Sequence, residues 1–354
     1  MSIPSLLRSS CNRHSRVQAE RRVRRALAAA LFLGVASCSG NGGAPVRVTI
    51  PSGAGLRAIS DSLARTGVVR SAKLFRIYAS LRGGDREIKA GTYVLHRGTG
   101  WATVLSELRA GKGIVHVVTI PEGFSLMQIT PLVVSKLSVP MDSVDAAVRD
   151  TAVLHRLDIP TPTLEGYLFP DTYTFPVGTT ARAAVDAMVR RFEQVWKPEW
   201  TARLDTLHMS RNDVMALAAI VEKEAKLPQE RPVIAAVYAN RVRHGMLLQA
   251  DPTVQYALGK HVARVYYKDL EVDSPYNTYK HKGLPPGPIA SPGRPSIEAA
   301  LYPASVPYEY FVAFPDGHHE FRRDLAGHEQ ARLEARRAWD SVDVVRRPDG
   351  VRPK

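Results

Sequence analysis

The hexapeptide Val48-Thr49-Ile50-Pro51-Ser52-Gly53 returns 70 residues later as Val118-Thr119-Ile120-Pro121-Glu122-Gly123. Leu56 and Ile59 follow the first copy, and Leu126 and Ile129 stand at the same distances after the second. Apolar residues alternate before each Pro–Gly turn and move toward helical spacing after it. Each copy therefore predicts a strand, a turn and an amphipathic helix. Between the copies, Lys89-Ala90-Gly91-Thr92-Tyr93-Val94-Leu95 predicts a further strand, and Thr103 to Ala110 a short helix. Residues 47–155 thus read as one small α+β module.

The texture changes near residue 160. Residues 179–195 alternate apolar and charged positions at helical spacing, and residues 211–225 form a more apolar helix. Beyond Gln249 come loops rich in Pro and Gly, through Leu284-Pro285-Pro286-Gly287 and Ser291-Pro292-Gly293. Such loops on a helical scaffold are where binding sites usually lie. The expected class is α+β: the small module, then a mainly helical domain over 156–340 with long Pro/Gly-rich loops, then a disordered tail over 341–354.

The N-terminus reads as an export signal. The basic cluster Arg21-Arg22-Val23-Arg24-Arg25 precedes an apolar run from Ala26 to Ala36. That run is too short for a spanning helix, which needs about 20 residues, but it suits a signal peptide. Val35-Ala36-Ser37-Cys38 resembles a bacterial lipobox, so residues 1–37 read as a signal peptide and Cys38 as a lipidated mature N-terminus. The competing reading is a short uncleaved anchor. Both place the chain on a membrane, facing the periplasm or extracytoplasmic space at the inner (cell) membrane. Residues 39–46 read as a flexible tether. The other cysteine, Cys11, lies within the signal, so no disulfide framework is expected.

The 354 residues carry a formal net charge of +14, and the first 37 hold seven Arg against one Glu. A basic balance suits any polyanion. No zinc-finger cysteine spacing and no aromatic–basic RNA-binding signature is present, so nucleic acid is not expected as a partner. His318, His319 and His328 lack a metal-ligand pattern, and the acids Asp171 and Asp251 are too few for calcium. No metal and no cofactor is expected.

Ser210 and Asp213 make a capping-box-like helix start, and Val214, Leu217, Val221 and Glu224 follow at spacings of 3, 4 and 3 along one side. Glu224 thus continues an apolar stripe. Lost solvation raises the pKa of a carboxyl placed there, as a general acid working near neutral pH requires. Glu222 lies about 160° around the helix and is expected to be more exposed. An ordinary charged helix end is the competing reading of this pair.

Several blocks resemble the endolytic murein transglycosylase family, also called YceG-like. They are Leu164-Glu165-Gly166-Tyr167-Leu168-Phe169-Pro170-Asp171-Thr172-Tyr173, Ile220-Val221-Glu222-Lys223-Glu224, Asn240-Arg241, Leu248-Gln249-Ala250-Asp251-Pro252-Thr253-Val254-Gln255-Tyr256, Pro275-Tyr276-Asn277-Thr278-Tyr279 and Gly283-Leu284-Pro285-Pro286-Gly287-Pro288-Ile289. They occur in the family's order over roughly residues 45–335, and ordered blocks are far more specific than one motif. The N-terminal module resembles a LysM-like module, which often grips glycan; a structural spacer is the alternative.

The resemblance implies a lytic transglycosylase that cuts the MurNAc–GlcNAc β-1,4 bond inside peptidoglycan strands and leaves 1,6-anhydro-MurNAc ends. It makes Glu224 the catalytic acid/base. It further implies action near the peptidoglycan synthases and a limit on nascent strand length. Glu165, Asp171, Gln249, Asp251, Asn277 and Tyr279 are the candidate substrate-binding residues, each with loop fixing as its competing role. Tyr167, Tyr173 and Tyr276 are candidates for stacking on sugars, while Phe169 reads better as core. Two other functions stand beside this one: a non-catalytic cell-wall scaffold, and a lysozyme-like muramidase. Many members of the family have a transmembrane helix where this chain has a lipobox-like segment, a departure that touches anchoring alone.

Overall fold

A computed structural model describes residues 43–83, 88–259 and 265–346. The leader, Cys38 and the start of the tether lie outside them. The chain divides into two compact units after Val115.

In the first unit, strand β1 (Pro45–Ile50) pairs antiparallel with β2 (Gly91–His96), with Val48 opposite Tyr93. Helices α1 (Leu56–Arg65) and α2 (Ala72–Leu81) lie between them in sequence, and α3 (Trp101–Ala110) follows. The alternation of β1 turns Val48 and Ile50 inward, onto a core with Leu63, Phe75, Leu95 and Leu108. Tyr93 is fully enclosed, and its hydroxyl donates to the carbonyl of Lys89 at 2.6 Å. Gly111, at φ +69°, ends α3 in a left-handed cap and leads to β3 (Ile114–Thr119), whose first residues pair with Tyr93 and Thr92.

The second unit begins within β3. Ile120 N–H donates to the carbonyl of Asp171 at 2.9 Å, just before β4 (Thr172–Pro176). Helices α4 (Leu126–Leu137), α5 (Met141–Val148), α6 (Thr151–Arg156), α7 (Ala181–Val195) and α8 (Pro198–Leu207) share one hydrophobic core with α9 (Arg211–Glu224). Every residue of α9 from Val214 to Val221 is buried, so it is a core helix rather than an amphipathic surface one. It packs on α10 (Arg231–Arg243), α11 (Asp251–Ala257) and α12 (Arg294–Leu301). The hairpin β5 (Tyr310–Ala313) and β6 (His319–Arg322) precedes α13 (Leu325–Arg346).

Mixed helix and antiparallel sheet agree with the expected α+β class. The expected boundary near residue 155 differs. Val118, Ile120, Ile129 and Val133 of the second repeat join the same core as Val214 and Ile220, so the two copies fall in different units. The tether ends earlier than residue 46, because Pro45 and Val46 already pair with His96 and Leu95. The tail expected to be disordered from residue 341 is helical as far as Arg346. Among the described residues, no helix is long and apolar enough to cross a membrane.

Candidate active site

The helix that ends in Glu224 is fixed at its start by a reciprocal cap. Ser210 Oγ accepts from Asp213 N–H at 3.0 Å, and Asp213 Oδ2 accepts from Ser210 N–H at 2.9 Å. At the other end the chain leaves the helix in extended conformation at Ala225. Glu224 keeps part of its surface open while neighbouring atoms crowd it on most sides. That burial pushes its carboxyl up to about 7, and the nearby charge of Asp251 adds to the rise. A hydrogen bond from Tyr238 and the charges of Lys226 and Arg241 act in the opposite direction.

Tyr238 on α10 donates its hydroxyl to Glu224 Oε1 at 3.0 Å. Its ring is buried and meets Phe311 edge-on at 5.8 Å. One turn further along α10, Arg241 donates to the carbonyls of Glu309 at 2.6 Å and Leu248 at 2.7 Å. Asn240 Nδ2 donates to the carbonyls of Val306 and Tyr308. This pair therefore ties α10 to two loops at once. The loop after Leu248 is laced to residues 277–279. Gln249 N–H donates to the Thr278 carbonyl at 3.1 Å, Ala250 N–H to Thr278 Oγ1 at 3.0 Å, and the Thr253 and Thr278 hydroxyls lie 2.8 Å apart. Tyr279 then donates its hydroxyl to Asp251 Oδ1 at 2.6 Å. The Asp251 carboxyl and the pinned Arg241 thus act on Glu224 in opposite directions, and burial lets Glu224 keep a proton near neutral pH.

The YceG-like family profile matches residues 48–334. The chain belongs to the YceG-like family. It is 36% identical over 306 residues to the endolytic murein transglycosylase of Bacillus subtilis, spanning 81% of this chain and 84% of that protein. It is 29% identical over 327 residues to the protein of the same name from Streptococcus pneumoniae, of which it spans 59%. A crystal structure described as a yceG-like protein from Listeria monocytogenes matches at a TM-score of 0.59 and 34% identity, covering 81% of this chain and 98% of that one.

In this YceG-like chain the residues singled out from sequence fall into separate groups. Asp251 and Tyr279 are joined with Glu224. Gln249 is exposed on the same loop at φ +52°. Glu165 is buried elsewhere, against the start of α4, where both carboxyl oxygens accept from Leu126 N–H at 3.0 and 3.1 Å. Burial pushes it up to about 7, against the pull of that bond and of Tyr256. Asp171 is engaged by Arg191 Nε at 2.7 Å and by Thr172 N–H. Asn277 is wholly enclosed, and its amide donates to the carbonyls of Leu270 and Val272, so it fixes the loop and has no surface to offer a substrate. Tyr167 is likewise core rather than a stacking platform, fully buried with Phe192 edge-on at 5.1 Å. Phe169 is buried, as preferred. Tyr173 and Tyr276 are partly exposed; the first bonds the Phe169 carbonyl, and the second lies 4.8 Å from the Tyr256 ring.

Glu222 is not the exposed member of its pair. Its side chain is 8% exposed, and Oε2 accepts from Gly293 N–H at 3.0 Å and Ser296 Oγ at 2.7 Å, with Arg231 at 3.7 Å. It holds the start of α12, so the face opposite Glu224 is also covered. Tyr238 and Lys226 had no place in the sequence reading, and Arg241 stood there only within the Asn240-Arg241 block. Tyr238 and Arg241 are three apart on α10, a spacing that puts both on one face, but only the packing of α10 on α9 brings that face to Glu224.

Proposed function

We propose that this chain is an endolytic murein transglycosylase, a lyase that cuts peptidoglycan strands internally, with Glu224 as its acid/base. The observation that carries the reading is a partly accessible carboxyl at the end of α9, raised to about 7, in a chain with named relatives of that activity. Glu224 first gives its proton to the departing glycosidic oxygen. Tyr238 occupies Oε1, which leaves Oε2 to carry that proton. The resulting carboxylate then takes the proton of the sugar's own C6 hydroxyl as O6 attacks C1, closing the 1,6-anhydro ring. The attacking group is already part of the substrate, so its effective concentration is high and no activated water is needed. This differs from the usual pair of carboxyls in glycosidases. Asp251, kept in place by Tyr279, supplies negative charge beside the oxocarbenium-like transition state, and Gln249 and Tyr279 are proposed substrate contacts.

The finer assignments are also proposals. The unit formed by β1, α1, α2 and β2 is read as LysM-like and glycan-gripping, by a surface other than the one that Leu74, Ile77 and Leu81 share. Cys38 is read as the lipid anchor on the extracytoplasmic side of the cell membrane, and strand termination near the synthases as the biological role. Digestion of purified peptidoglycan tests the central claim. Wild type should release anhydro-ended fragments and Glu224→Gln none. Reducing MurNAc ends would indicate a muramidase, and equal yields from both proteins would remove Glu224 from its role.

A further inference from the structure

We propose that the exposed face of α2 rests on an anionic membrane surface. Net charge is divided sharply between the two units. Residues 43–115 hold twelve Lys and Arg against four Asp and Glu, a net of +8, whereas residues 116–354 hold twenty-nine of each. All the excess charge beyond the leader therefore belongs to the small unit.

The same unit exposes an apolar stripe. Leu74, Ile77 and Leu81 are 54%, 48% and 71% exposed. Their spacing of 3 and 4 keeps them within an arc of about 60° on the helix. Among the described residues, no other helix shows three exposed large apolar side chains within eight positions. Phe75 and Ala79, on the opposite side, hold α2 to its own core, so the stripe is not a misplaced core face. Exposed Lys73 and Arg82 flank it, and exposed Arg70 precedes it. An apolar stripe between cationic side chains suits the boundary between acyl chains and anionic headgroups. A soluble polyanion would satisfy the arginines but leave the three apolar side chains in water, and a second protein copy, equally basic here, would repel.

Sequence distance agrees. The apolar run of the leader ends at Ala36, nine residues before β1, which is at most about 30 Å of extended chain. An N-terminal anchor of either kind would hold this unit within reach of the bilayer.

Hydrogen–deuterium exchange tests the proposal on the full chain, inserted through its own N-terminus into vesicles. One set would be phosphatidylcholine alone; the other would contain about one third phosphatidylglycerol. Exchange across Ala72–Leu81 should slow several-fold in the anionic vesicles relative to the neutral ones. The triple variant Leu74→Ser, Ile77→Ser, Leu81→Ser should lose that protection. So should Arg70→Gln with Lys73→Gln, which leaves the apolar stripe intact and guards against a folding artefact. Both variants should cut soluble glycan strands at the wild-type rate. Equal exchange in the two vesicle types would overturn the proposal. So would protection produced by soluble peptidoglycan fragments without vesicles.

Discussion

The two copies of the repeat are nearly the same local structure put to different uses. In each, the Val and Ile are buried and the Thr between them points out to a threonine on the neighbouring strand: Thr49 with Thr92 at 3.1 Å, Thr119 with Thr172 at 3.0 Å. In each, the turn glycine is left-handed, at φ +75° for Gly53 and +74° for Gly123. Their surroundings differ. Nothing lies within 4 Å of where a side chain on Gly53 would begin, whereas Glu222 and Lys223 stand 3.5 and 3.6 Å from that point at Gly123. Lys223 Nζ donates to the Gly123 carbonyl, Gly123 N–H donates to the Ser291 carbonyl, and the Glu122 carboxyl lies against Gly293. The first copy makes a free turn, and the second braces the helix that carries Glu224. A motif fixed by backbone sterics acquires its role from the side chains that reach it.

The widest separation between the two regions is chemical. Glu224→Gln should lower strand cleavage by about 10³-fold, the usual scale of a lost general acid, and leave vesicle protection of α2 unchanged. The α2 variants should do the reverse, and a chain in which either change altered both readouts would break the contrast. The next test is the pH profile. The Glu224 carboxyl is raised to about 7, so cleavage should persist below that pH and fall as pH rises through it. Asp251 contributes to the rise, so Asp251→Asn should move this alkaline limb to lower pH and reduce kcat. Asparagine can still accept from Tyr279, so a merely structural role would leave the limb in place. The same raised value links to stability: the fold's gain from a neutral Glu224 is complete below the ordinary carboxylate range and is lost as pH rises toward 7. Acid and neutral melting curves of wild type and Glu224→Gln check that sign.

Smaller effects probe the brace. Glu222→Ala removes a buried acceptor from Gly293 and Ser296 and takes the carboxylate from beside Arg231, which should cost about 3 kcal/mol in urea denaturation of the second unit. Gly53→Ala and Gly123→Ala should cost alike, about 1 kcal/mol each, because both penalties come from φ and neither methyl meets a close atom. A much larger cost at Gly123 would mean that the brace is tighter than the contacts indicate. Thr49→Val and Thr119→Val should each cost about 0.5 kcal/mol, the scale of one cross-strand pair.

The local grammar was legible in the sequence. The alternation in β1 and β3, the Ser210–Asp213 cap and the stripe leading to Glu224 all depend on residues within two turns or one strand of each other. The role of Glu222 was not, because periodicity assigns the far side of a helix to solvent, and here α12 covers it from 70 residues downstream. The domain boundary was missed for a related reason. Two similar copies suggest one module, but Val118 and Ile120 belong to a core that also takes in α9, about a hundred residues away. Tyr238 carried no pattern of its own, and the enclosure of Asn277 depends on how the 270–272 backbone folds over it. Asp251 and Tyr279 were found through the blocks they share with the family.

Glu224 is the final residue of α9, where the helix dipole is at its negative pole and the last carbonyls lack amide partners. An anion is poorly tolerated at that position. In the proposed mechanism, once the first proton has left, the carboxylate is the less comfortable form and recovers a proton from the C6 hydroxyl of the sugar being cut. On the proposed mechanism each cycle re-arms the acid from the substrate itself, and the helix polarity favours that return of the proton.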